Sequence, residues 1–142
     1  MLNRLVYFSE RLPECDDAAL EEIVALAAPR NRARDITGLL IADRRAFIQI
    51  LEGPRTAVSL LFQDISRDAR HRNVVLVEFT EIQSLSYPRW GMASASDKQK
   101  LDAAWARVTR DQIWEPLKLN ALQLRGLLKI ALGDARPVAA VA

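Results

Sequence analysis

Ile36-Thr37-Gly38-Leu39-Leu40-Ile41-Ala42 and Ala46-Phe47-Ile48-Gln49-Ile50-Leu51 are two short apolar runs separated by Asp43-Arg44-Arg45. Runs of this length with a short polar break read as a β-hairpin. The second run is apolar on both faces, which predicts a strand buried between two layers. Glu52-Gly53-Pro54 closes the hairpin, and Pro54 suits the start of a following helix, where a backbone N–H has no partner to lose. Val58, Leu61, Phe62 and Ile65 then fall on one helical stripe.

The same reading extends outward. Leu2 to Ser9 alternates as a strand. Pro13 and Asp16-Asp17 signal a helix whose apolar face carries Leu20, Ile23, Val24 and Ala27, and Pro29 is expected to stop or kink it. Val74 to Phe79 is rich in strand-forming residues. Tyr87-Pro88 precedes a last short strand around Trp90 to Ala95. The order β-α-β-β-α-β-β predicts an α+β, ferredoxin-like fold, with a mixed five-stranded sheet and two helices on one face. The other face needs cover. Lys98 to Arg110 and Pro116 to Leu132, with Leu117, Ala121, Leu124 and Leu128 in register, supply a C-terminal two-helix cap. Residues 1–95 are expected to form the core, and 96–142 a cap belonging to the same domain.

Composition removes several kinds of chemistry. The 142 residues include one His, one Cys and five Gly. His71 and Cys15 alone make neither a His/Cys zinc cluster nor an internal disulfide. No glycine run cradles phosphate. A net charge of +2 is no strong pointer to nucleic acid. A nucleic-acid reading of Arg30, Arg32, Arg34, Arg44 and Arg45 lacks the aromatic stacking pair that RNA-binding domains of this plan carry. No apolar run is long enough to span a membrane, so a cytoplasmic protein is expected.

Four features stand out within this plan. Gln49 is an amide in an apolar strand, either satisfied by backbone or facing a ligand. Tyr7 lies on a strand expected to neighbour that of Gln49, so hydroxyl and amide can face the same helix layer. Asn31, just past the first helix, and Asp68, Arg70 and His71, after the second, frame the space between the helices. Trp90 and Met92 share strand parity with Gly91 between them, so both are expected to point to one face.

These residues resemble a known pattern. Leu5-Val6-Tyr7-Phe8-Ser9, Asn31 with Ile36-Thr37-Gly38-Leu39-Leu40, Phe47-Ile48-Gln49-Ile50-Leu51-Glu52-Gly53, Asp68-Ala69-Arg70-His71 and Tyr87-Pro88-Arg89-Trp90-Gly91-Met92 occur in the order and spacing of the BLUF domain, a flavin-based blue-light sensor. The resemblance covers about residues 1–95, and the tail looks like the cap of short stand-alone members. It implies a photoreceptor rather than an enzyme. The bound flavin would be FAD, with FMN or riboflavin able to substitute. Tyr7 would donate an electron and a proton to the photoexcited flavin, and Gln49 would relay the proton and then change its hydrogen bonds. Asn31 would bond the ring, Ile65 would pack on it, and Asp68 and His71 would lie along it. Trp90 and Met92 would report the light state. The chain departs from the pattern at Ala27, Arg30, Asp35 and Asp64, and Arg30 is expected to meet phosphate. The implied partner is a separate effector protein, with a homodimer or higher homo-oligomer expected and neither nucleic acid nor membrane involved.

Overall fold

A computed structural model describes residues 1–87, 91–109, 115, 118–133 and 136–137 of the chain. The elements run β1 (Leu2–Arg11), α1 (Asp17–Ala33), β2 (Thr37–Ala42), β3 (Ala46–Pro54), α2 (Arg55–Ser66), β4 (His71–Ile82), β5 (Ala93–Ala95), α3 (Lys98–Thr109), α4 (Ala121–Leu132) and the two-residue β6 (Arg136–Pro137). The sheet order is β4-β1-β3-β2-β5-β6. The β2–β5 pair is parallel and the others antiparallel, so the sheet is mixed as expected. Among the described residues no helix is long and apolar enough to cross a membrane.

Strand parity sorts side chains into two cores. Leu5, Tyr7, Leu40, Phe47 and Leu51 face α1 and α2. Val6, Phe8, Ile48 and Ile50 face the cap, where they meet Leu101, Trp105, Leu124, Leu127 and Leu128. The buried side chains on β2 and β3 are therefore covered from both sides, which is why those strands are apolar throughout. Asn120 and Gln123 start α4 with a reciprocal capping box.

A polar network pins the end of the sheet on the cap side. Glu52 is fully buried. Its Oε2 accepts from Arg4 Nε at 2.9 Å and its Oε1 from the Ser86 backbone N–H at 2.7 Å. Arg4 Nη2 also donates to Ser86 Oγ at 2.7 Å. Arg125 of α4 donates to Glu78 of β4 at 2.6 Å, tying the cap to the sheet.

Three expectations change. First, α1 runs through Pro29 to Ala33, so Asn31 sits inside the helix rather than past it. Ala28 and Asn31 are both buried, and that packing offsets a proline cost of about 3 kcal/mol. Second, β4 is longer than the Val74–Phe79 run and is irregular, with Asn73 at φ 52° and register shifts against β1. Third, the last strand begins at Ala93. Gly91 adopts φ +72°, so strand parity does not extend back through Met92. Trp90 lies outside the described residues.

Candidate functional site

A cleft opens between α1 and α2 above the sheet. Counting the solvent space at its open mouth, it spans about 590 Å³. Ile23, Ala27 and Asn31 line it from α1, at a spacing that puts all three on one helical face. Leu61 and Ile65 line it from α2, and Tyr7, Leu40, Phe47 and Gln49 form the floor. Asp68, Arg70, His71 and Met92 complete it.

Tyr7 and Gln49 are direct cross-strand partners in the β1–β3 register. The Tyr7 hydroxyl donates to Gln49 Oε1 at 2.5 Å, with both residues buried. Burial pushes the Tyr7 hydroxyl well above the usual tyrosine range, and the negative charge of Asp68 adds to the effect. The phenol is therefore neutral at ordinary pH, and its O–H is directed at the Gln49 amide oxygen. The Tyr7 ring is tilted against Phe62, with centroids 5.5 Å apart.

The other end of the Gln49 amide is less well matched. Its Nε2 donates to Met92 Sδ at 3.4 Å, and a thioether is a weak acceptor. Gly38 makes room for this contact, because a Cβ there would meet Met92 Cε at 3.0 Å and Leu51 Cδ2 at 3.1 Å. Asn31 donates through Nδ2 to the Gly91 carbonyl at 2.9 Å. No hydrogen bond among the described residues reaches its Oδ1.

At the mouth, Arg70 grips Asp68 with Nε on Oδ1 at 2.9 Å and Nη2 on Oδ2. These bonds hold the Asp68 carboxyl below its usual range. His71 is buried between Ser9 Oγ at 2.7 Å and the Ile65 carbonyl at 2.6 Å.

The structure thus brings Tyr7, Asn31, Gln49, Ile65, Asp68, His71 and Met92 to one cleft. Arg30 is exposed and does not line it. One residue before Asn31, it points about 100° away around the helix. The sequence reading left Ile23 and Leu61 without a role here, and Ala27 and Arg70 entered it only as a departure from the family pattern and as part of the frame of the cleft, respectively. The spacing of Ile23, Ala27 and Asn31 was the available signal, as was the position of Leu61 four residues before Ile65.

The cleft suits a ring with apolar faces and a polar edge. Its walls are largely apolar, and the buried amides of Asn31 and Gln49 both line it. One amide donor is spent only on sulfur, and one amide oxygen has no partner among the described residues. Such a ring would give both amides better partners.

Comparison with known proteins agrees. The family model BLUF, described as sensors of blue-light using FAD, matches residues 2–93. The photoactivated adenylate cyclase subunit beta of Euglena longa is 36% identical over 98 residues, 68% of this chain and 11% of the relative. The blue light- and temperature-regulated antirepressor BluF of Escherichia coli (strain K12) is 37% identical over 75 residues, 53% of this chain and 19% of the relative. The chain therefore spans no more than about a fifth of either relative. The solved structure of BlsA in its photo-activated state matches with a TM-score of 0.84 at 29% identity, covering 99% of this chain and 100% of that one. The dark state of BlrB, a BLUF protein, matches with a TM-score of 0.77 at 29% identity, covering 94% of this chain and 96% of that one.

Proposed function

The chain belongs to the BLUF family of flavin-binding blue-light sensors, and from that premise we propose that it senses blue light through the Tyr7–Gln49–Met92 chain. The observation that carries this reading is the 2.5 Å hydrogen bond from the Tyr7 hydroxyl to Gln49 Oε1, at the floor of the largely apolar cleft between α1 and α2. When bound, the flavin supplies absorption of blue light and an excited state that accepts an electron. The chromophore in this reading is FAD, which Asn31, Gln49, Ile65 and Asp68 would hold in the cleft. FMN or riboflavin would fill the same ring site.

Tyr7 is the electron donor. Its hydroxyl proton already rests against Gln49 Oε1, so a phenol that loses an electron has an acceptor for its proton in place. On the return step Tyr7 recovers both, and the Gln49 amide is left turned over. A turned amide presents Nε2 to the Tyr7 oxygen, which can accept. It presents Oε1 to Met92 Sδ, which has no hydrogen to give. The Met92 contact is therefore lost in the light form. Met92 directly precedes β5, whose Ala93 and Ala95 lie in the core shared with the cap helices. That path supports signal output through β5 and the cap as a population shift.

In this reading the core of residues 1–95 and the 96–142 cap act as one unit, and the cap hands the state to a separate cytoplasmic protein or to a second copy of the chain. Trp90 and Met92 are the pair proposed to report the light state to the last strand. Tyr7→Phe and Gln49→Leu test the assignment. Each should keep flavin bound and abolish the light-induced spectral shift. A normal shift in Gln49→Leu would refute it.

A further inference from the structure

The sequence placed His71 along the flavin, and the hydrogen bonds around its ring point elsewhere. The Ile65 carbonyl can only accept, so the Nε2 facing it at 2.6 Å carries a proton. In the neutral ring Nδ1 is then an acceptor, and the Ser9 hydroxyl at 2.7 Å is its donor. Both ring nitrogens are spent on protein, and neither is left for a flavin oxygen or nitrogen.

Those two bonds join three elements. Ser9 lies on β1 two residues beyond Tyr7, Ile65 lies in the last turn of α2, and His71 opens β4. The imidazole also meets the Tyr7 ring edge-on, with centroids 6.4 Å apart at 75°, and Phe47 at 6.2 Å and 63°. Tyr7 is thus fixed by its hydroxyl on Gln49 and by His71 at its edge.

We infer that His71 is a positioning residue for Tyr7 and not a flavin ligand: the Ser9–His71–Ile65 strut clamps α2 against β1 and holds the phenol in line with Gln49 Oε1. This rests on the reading of Tyr7 as the light-driven donor. Transfer from a phenol is sensitive to alignment, and a misplacement of about 1 Å can cost on the order of 100-fold in a positioned reaction.

The test separates flavin affinity from photochemical yield in the full chain titrated with FAD. His71→Leu removes both bonds. Ser9→Ala removes only the donor to Nδ1 and serves if His71→Leu fails to fold. The expected result is an FAD dissociation constant within about threefold of wild type and a red-shift yield per absorbed photon lower by about tenfold, or less for Ser9→Ala. An FAD affinity weaker by about tenfold with an unchanged yield would make His71 a ligand and overturn the inference. Nitrogen-15 NMR of labelled wild-type protein gives a readout independent of light. The neutral tautomer protonated at Nε2, in the presence and absence of FAD, supports the strut, and protonation at Nδ1 alone overturns it. A wild-type chain that fails to shift under light would sink the Tyr7 donor reading while leaving that tautomer to be read.

Discussion

Replacing Gly91 by alanine tests how the site is held at its β5 end. Gly91 has φ +72°, a conformation that costs an L side chain about 1–2 kcal/mol. A Cβ there would sit 2.3 Å from the Ala28 carbonyl oxygen, 2.8 Å from Arg32 Cγ and 3.1 Å from the Ala28 carbonyl carbon. The closest atom is helix backbone, which cannot swing aside as a side-chain tip can. Relief requires α1 and the start of β5 to part, and overpacking of this kind costs about 1–3 kcal/mol more. Together the two effects predict a loss of about 2–5 kcal/mol in urea unfolding. Flavin affinity should fall as well, because the Gly91 carbonyl is the acceptor for Asn31 Nδ2. Gly126→Ala is the control. Among the described residues a Cβ at this α4 position meets only Val108 Cγ2 of α3, at 4.0 Å, and alanine should gain up to about 1 kcal/mol in helix propensity. A Gly91→Ala protein within about 1 kcal/mol of wild type, or a Gly126→Ala protein equally damaged, would refute the reasoning.

Other expectations follow from single contacts. Glu52→Ala strands the partly buried Arg4 and should cost about 3–5 kcal/mol, whereas Asp102→Ala breaks an exposed pair with Lys98 and should cost less than about 1 kcal/mol by the same urea titration. Asp35 sits at φ 56°. Asp35→Gly should leave thermal stability unchanged or raise it by up to about 1 kcal/mol, and Asp35→Val should lower it by more than about 1 kcal/mol. Burial pushes Tyr87 up to about 12, with Glu52 adding to the rise. The folded state thus holds a proton that the unfolded chain gives up from about pH 10. The stability this provides is complete below about pH 10 and is lost as pH rises through about 12, so Tyr87→Phe should flatten the alkaline limb of a stability–pH profile.

The β2–β3 hairpin and the two helices over it were legible because burial on both sides leaves an unbroken apolar signature. The Tyr7–Gln49 pairing followed from strand order alone. The end of α1 was not legible, because Pro29 is a local signal and its override comes from the burial of Ala28 and Asn31 against other elements. The shared face of Trp90 and Met92 rested on strand parity; Trp90 lies outside the described residues, and what the structure shows is that Gly91 is left-handed and the strand begins at Ala93. Arg30 read as a phosphate contact from charge; it is exposed outside the cleft lining, which leaves that expectation a matter for the bound cofactor. The hydrogen bonds of His71 to Ser9 and Ile65 span three elements, and no spacing in the sequence announces such a strut.

The most direct measurement is a light-minus-dark absorption spectrum of the purified chain loaded with FAD. The account predicts a small red shift of the flavin band under blue light that recovers fully in darkness. Flavin that binds without shifting, or a chain that stays colourless after incubation with FAD, would contradict it.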